Sequence, residues 1–316
     1  MEVTMDNNTP ITLSAPASLI AALPAFLGFI PTEAVVVVAL KDDEVLFVAR
    51  IDIATIGQGA VTIFDTARQH HAASVVVVAI ASDPDTGASA ATDTAATAEL
   101  MGIEVTQVLY TPSCDEQNFW ADLRTNDAGM TADYRTSPLA LARSVQSGRT
   151  IAGSREALRE LFTLADTADI DTPRSLLDIT RELYAIITGH AAATAELAAH
   201  IANAVAENIS YRDALITVSS HNYPAAAATF IQLANALRDG KRAAVLTLVV
   251  AAAALGGNGG LANVAVEDAE RSTAELPPLM TLIDRAMRAG ISPDQLAHVI
   301  PTTEVAQATI GGDWTT

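Results

Sequence analysis

Two short runs of apolar, mostly β-branched residues stand out in the first hundred positions, residues 34–40 and 74–80. Runs of that length and branching predict strands buried on both faces. Between them, residues 45–53 alternate. Val45, Phe47, Ala49, Ile51 and Ile53 fall on one side, and Leu46, Val48, Arg50 and Asp52 on the other. With the charged turn Lys41-Asp42-Asp43-Glu44 before it, this segment forms a hairpin with the first run. Residues 58–71 place Val61, Phe64, Ala67 and Arg68 on one helical stripe, and the alanine-rich residues 86–101 read as a second helix. Residues 103–110 read as a further strand. Alternating strands and helices imply parallel pairing through right-handed crossovers.

The second half is punctuated as helices. Ser137-Pro138 opens one that Gly148 stops, and Ser154 caps the next. Thr172-Pro173 opens a third running to Gly189. Residues 191–208, 211–219 and 224–238 continue the pattern. Residues 241–255 are almost wholly apolar and predict a central buried helix. Residues 261–271 and 278–289 follow, and Ser292-Pro293-Asp294-Gln295 is a capping box. The expected fold class is α/β: a mixed sheet with parallel crossovers in the N-terminal half, packed with an all-helical C-terminal half. The expected divisions are residues 10–150, 151–300 and a loose tail over 301–316.

Charge narrows the function classes. There are 18 basic and 37 acidic residues, a net charge of -19. Such a field repels a phosphate backbone and an anionic bilayer, so no nucleic acid and no membrane are expected as partners. Lys41 and Lys241 are the only lysines, and alanine is abundant. Both biases point to a GC-rich coding sequence, hence an actinobacterial or phage source. The single cysteine, Cys114, excludes an internal disulfide and a cysteine metal cluster. Residues 1–8 carry no basic stretch, and the apolar runs fall short of the roughly 20 residues that span a bilayer. A soluble, cytoplasmic protein is expected.

Candidate chemistry is sparse. Arg50 and Asp52 share a strand face and read either as a polar pair lining a groove or as a solvated ion pair. Asp83-Pro84-Asp85-Thr86 follows a buried strand, where ligands of parallel sheets bind. It faintly resembles the aspartate motif of haloacid-dehalogenase-like phosphatases, but Gly87 stands where that motif wants Thr or Val. The plainer reading is a proline turn with capping acids. Residues 256–260 are four glycines around Asn258 ahead of a helix. No strand precedes them and no Gly-Lys-Ser/Thr follows, so a helix–helix turn is expected rather than a phosphate loop. Arg149, Ser154 and Arg155 bracket a helix start, and Arg135 lies near Asp133 and Tyr134. Such arginines clamp an anion or balance an acidic surface. Cys114 sits beside acids that blunt a thiolate, and the six histidines show no metal-ligand spacing.

Several segments together resemble an actinobacterial family, domain of unknown function 4192. They are residues 23–33, from Leu23-Pro24 through Gly28-Phe29 to Pro31-Thr32-Glu33, with the valine strand after them, and Ala49-Arg50-Ile51-Asp52-Ile53. Then come Ser147-Gly148-Arg149, Ser154-Arg155-Glu156, Arg212-Asp213-Ala214-Leu215 and residues 257–267. The family often carries an acid where Asn258 stands and a serine where Ala34 stands. The resemblance implies a shared fold and no assigned reaction.

The leading expectation is a non-enzymatic binding or regulatory module with a protein partner or a small anionic ligand and no cofactor. The alternative is a phosphate- or nucleotide-handling hydrolase or transferase. A small-molecule site is expected where the two halves join, near Arg50, Asp52, Arg149, Ser154 and Arg155.

Overall fold

In the computed structural model, residues 2–3, 11–12, 15–42, 44–115, 117–147, 150–168, 170 and 173–315 are described. The first helix, α1 (Pro16–Leu27), starts on proline and ends on Gly28 in the left-handed region, φ 82°. The Gly28 N–H caps it by donating to the Pro24 carbonyl, 2.8 Å. The chain divides by its internal contacts into two units, Met1–Arg155 and Glu156–Thr316.

The first unit is built on one mixed sheet. Its strands are β1 (Glu2–Val3), β2 (Ile11–Thr12), β3 (Ala34–Lys41), β4 (Glu44–Asp52), β5 (Ser74–Ile80), β6 (Glu104–Thr111), β7 (Phe119–Asp122) and β8 (Ala128–Met130). Their spatial order is β2-β1-β4-β3-β5-β6-β7-β8. The two valine runs lie side by side as β3 and β5, antiparallel, with Val36 opposite Val78 and Val38 opposite Val76. All four of these valines are 0–3% exposed, so both faces are covered as the unbroken apolar runs demand. The β3–β4 hairpin forms as expected, with a register shift at Ala39/Leu40.

Helix α2 (Ile56–Gln69) joins β4 to β5, and α3 (Pro84–Leu100) joins β5 to β6. Since β4 and β5 are each antiparallel to β3, they run the same way, and α2 crosses over β3 between them. The adjacent parallel pair is β5–β6. Phe64 of α2 and Ala91 and Ala95 of α3 bury against Val35, Val37 and Val77 on one sheet face. The β7–β8 hairpin was outside the expected pattern. It is short, and its Trp120 indole lies over Gly129, where a Cβ would sit 3.0 Å from Nε1. Helix α4 (Pro138–Ser147) begins at Ser137-Pro138 as expected, whereas the anticipated stop, Gly148, lies outside the described residues.

Helix α5 (Arg155–Glu160) straddles the division. The second unit then holds α6 (Leu176–Ile187), α7 (Ala195–Glu207), α8 (Ile209–Ser219), α9 (Tyr223–Asn235), α10 (Asp239–Leu255), α11 (Gly259–Ser272), α12 (Pro278–Arg288), α13 (Pro293–Ala297) and α14 (Thr303–Ile310). The apolar run is α10, buried along most of its length and packed by α9, α11 and α7. The Arg242 side chain, 3% exposed, donates from Nε to Asp268 Oδ2 of α11 at 2.8 Å and from Nη2 to the Phe162 carbonyl at 2.8 Å. Burial of a charge at that depth requires such pairing.

Three boundaries differ from expectation. Helix α6 starts at Leu176, because Ser175 Oγ takes the Asp178 N–H at 3.1 Å, while Thr172 lies outside the described residues. Helix α7 starts after Thr194, whose hydroxyl accepts from Leu197 N–H. The segment expected as a loose tail instead forms α14 against α8. Ala306, Ile310 and Trp314 are buried, and Thr217 Oγ1 donates to the Pro301 carbonyl at 2.8 Å. Among the described residues no helix is long and apolar enough to cross a membrane.

Candidate functional site at the carboxyl edge of the sheet

Ala34, the first residue of β3, faces Asp52 at the end of β4 and Ile80 at the end of β5. Ile80 in turn pairs with Thr111 at the end of β6. The carboxyl ends of three strands therefore open on one edge, the position where sheets with crossover helices hold ligands.

Arg50 lies two residues inside this edge, on the face opposite Ile51. Its side chain is 11% exposed. Nη2 donates to Asp52 Oδ1 at 2.6 Å and to the Thr32 carbonyl at 3.3 Å. The guanidinium carbon is 5.8 Å from the centroid of the Phe29 ring, within cation–π range. Nε is buried and has no hydrogen-bond partner. The strand period put Arg50 and Asp52 on one face, and they touch. The period gave no hint that Arg50 would also hold the loop leading into β3.

That loop also carries Glu33, which no motif marks as a site residue. Glu33 has φ 44°, a region unfavourable for a side chain of its size. Its carbonyl accepts the Ile53 N–H at 3.2 Å. Its carboxylate Oε1 accepts the Ser82 N–H at 2.9 Å and the Ser82 hydroxyl at 2.8 Å. The strained backbone is thus tied to the ends of both β4 and β5. The one available signal was the Pro31-Thr32-Glu33 turn ahead of the valine strand. Ser82 left no signal of its own.

Asp83 is the N-cap of α3. It accepts from the Thr86 N–H at 2.9 Å and the Thr86 hydroxyl at 2.5 Å, which hold its carboxyl below the usual carboxylate range. The capping reading of Asp83-Pro84-Asp85-Thr86 therefore accounts for Asp83. Tyr110, whose hydroxyl donates to the Ala81 carbonyl at 3.0 Å, has its pKa raised by burial and then by the charges of Asp83 and Glu33. Gly87 is required by this ring, since a Cβ there would lie 2.5 Å from Tyr110 Cε2.

The remaining candidates fall as follows. Ala152 pairs through its backbone with Gly28 and Ile30, both at 3.0 Å. This places the stretch leading to Ser154 and Arg155 beside the same loop that Arg50 holds. Ser154 and Arg155 are half-buried and engaged in further interactions. Arg149 lies outside the described residues. Arg135 is exposed, 3.6 Å from Asp133, with its guanidinium over the Tyr134 ring. Cys114 is buried, and burial together with Asp115 pushes its thiol far up, away from thiolate chemistry. The cavity beside the loop, lined by Ala25, Gly28, Ala140, Arg143, Thr150 and Ile151, has about 10 Å³, room for one water.

Residues 256–258 connect α10 to α11 in a helix–helix turn, and Gly259 and Gly260 already belong to α11. Gly257 has φ 67°, and Asn258 caps α11 by accepting the Leu261 N–H at 3.2 Å. Among the described residues no group of three or more His, Cys, Asp and Glu is placed to hold a metal ion.

Neither the curated proteins nor the solved structures include a significant match to the chain. The family described as Domain of unknown function (DUF4192) matches residues 16–294, which takes in the Gly28–Glu33 loop, the Arg50–Asp52 pair and the glycine turn, and the chain belongs to that family.

Proposed function

We propose that the protein is a non-enzymatic binding or regulatory module whose ligand surface is the carboxyl edge of the sheet, with Arg50 and Asp52 at its centre and Ser154 and Arg155 alongside. A cytoplasmic setting and a small anionic ligand or a protein partner go with this reading. The observation that carries it is how the polar groups of the edge are used. Asp52 holds Arg50, Glu33 holds Ser82, and Asp83 holds Thr86. Each acid is bound to a local donor, and the cavity beside the loop admits only a water. An enzyme needs an acid, base or nucleophile converging on a reacting atom within an enclosed site. A recognition surface needs a rigid loop and a few fixed charges. The strained Glu33, tied to two strand ends, gives that rigidity.

The test is a thermal melt of the parent protein and of Arg50→Gln with inorganic phosphate and with nucleotides, paired with an assay for released phosphate. The module reading expects a concentration-dependent rise in Tm that Arg50→Gln removes, without turnover. Phosphate release that scales with protein and vanishes in Arg50→Gln would replace it with the hydrolase or transferase alternative.

A further inference from the structure

Over its second half, helix α8 leaves no face open. Consecutive positions from Ala214 to Ser219 are all buried, and such a run goes more than once around a helix. A helix at the surface of a fold ordinarily keeps one face for solvent. Helices α6, α7 and α10 pack against α8, and α14 packs against it too, reaching α6 as well. The matched family stretch, residues 16–294, contains α8 and ends before α14. The family's domain thus supplies a face that needs a cover, and a segment beyond it supplies the cover.

That cover is held lightly. On α14, Ala306 and Ile310 are buried one turn apart, while Val305 is 55% exposed. Gly311, with φ 98°, ends the helix, and Trp314 beyond it is buried again. A Cβ on Gly312 would lie 3.1 Å from Leu177 Cδ2 of α6, so the backbone there lies close against the groove wall. The Asp313 carboxyl is lowered in pKa by bonds from the Thr315 N–H and hydroxyl and, less strongly, by the charge of Arg181 on α6. At the head of the segment, Thr217 Oγ1 donates to the Pro301 carbonyl. The tether from α13 is bare, with His298 exposed and Val299 83% exposed. A few anchoring side chains on an exposed tether mark an element that opens locally, ahead of the rest of the fold.

The occupant shows what the groove accepts: a small side chain, a branched aliphatic one turn on, then an aromatic ring beside an acid. We propose that residues 303–314 are a detachable strap that keeps this α6–α8 groove shut against its ligand, an amphipathic helix of a partner protein with the same spacing of small, aliphatic and aromatic anchors. Tethering gives the strap an effective concentration of about millimolar. A partner helix therefore binds only in proportion to the fraction of molecules whose strap is off. The site is independent of the sheet edge, since every groove and strap residue belongs to the second unit.

The first measurement is native-state hydrogen exchange of the unaltered chain. The amides of Gln307 to Ile310 should exchange through a local opening that leaves α10 protected. Exchange of both only on global unfolding would overturn the proposal. The second uses a fluorescein-labelled peptide of residues 301–315 as probe, read by anisotropy. The full chain carrying Ile310→Asp and Trp314→Ala should bind it saturably, and the parent about tenfold or more weakly. The peptide should also raise the Tm of the loosened chain, and a peptide with Ile310→Asp should do neither. A loosened chain that melts cooperatively yet ignores the peptide would sink the idea, as would equal binding by the parent or by the altered peptide. A parent that runs as a dimer and turns monomeric on Ile310→Asp would make the strap an element exchanged between copies instead. If the loosened chain does not fold, hydrogen exchange alone decides.

Discussion

A methyl group placed on Gly87 would lie 2.5 Å from Cε2 of Tyr110 and 3.2 Å from the Ala81 Cβ. The ring cannot swing away easily. It is 3% exposed, and its hydroxyl is bound to the Ala81 carbonyl. Gly87→Ala gains about 1 kcal/mol of helix propensity in α3 but forces overpacking that costs about 1–3 kcal/mol. A net loss is expected in urea denaturation. In a Tyr110→Ala background the same change should become favourable, and this reversal in a double-mutant cycle is the check.

Arg242 and Asp268 form a pair sealed inside the second unit, at 2.6 Å. Removing Asp268 strands the buried Arg242 guanidinium, whereas removing Arg242 leaves Asp268 its second partner, Arg271, at 3.0 Å. Asp268→Asn should therefore destabilise by about 3–5 kcal/mol, and Arg242→Met by less. Replacing both, as Arg242→Met with Asp268→Leu, should recover much of that loss. Chemical denaturation followed by far-UV circular dichroism would show whether it does.

The glycines of the α10–α11 turn are not equivalent. Gly259 has open space around the position of a Cβ and lies in the first turn of α11, so Gly259→Ala should leave stability unchanged or slightly higher. The position that needs glycine is Gly257, whose φ is 67°. Gly257→Ala should cost about 1 kcal/mol. Gly256→Ala would bring a Cβ to 3.0 Å from that of Tyr223. Comparing the three melting temperatures orders the positions.

Asp83 has a carboxyl pKa below its unfolded value, so its contribution is present above the unfolded pKa of about 3.9 and is lost as pH falls through the folded value. Asp83→Ala should therefore be less stable than the parent at neutral pH, with a gap that narrows below about pH 4. Asp83→Asn, still able to accept from the Thr86 N–H, should stay closer to the parent at neutral pH. Urea midpoints across the acid range would reveal a constant gap if the cap were unimportant.

What was legible in the sequence follows the range of the interactions involved. The Ser292 capping box was readable because all its atoms lie within four residues, and both of its hydrogen bonds are present. The valine strands were readable because burial on both faces leaves no polar alternation to misread. Arg50 and Asp52 were readable as a pair because strand period alone puts them together. Glu33 and Ser82 are 49 positions apart, and their contact depends on β3 lying against β5 and on a strained φ that no residue type announces. Helix α14 was missed for a related reason. It buries Ala306 and Ile310 along its length, too few positions to print a period on the chain.

Strand β3 is flanked by β4 on one side and β5 on the other, yet it reaches these neighbours over very different stretches of chain. With β4 it closes almost at once, Lys41 meeting Glu44. With β5 its nearest pairing is Leu40 with Ser74, so β4 and α2 must be accommodated first. Loop closure over the longer stretch costs more entropy, and the hairpin offers a ready template for it. The order of assembly is thus written into the topology, hairpin before docking. A cavity cut at Val37, which serves both pairings, should slow folding as well as hasten unfolding. One cut on the short peripheral β7 should show almost entirely in the unfolding rate.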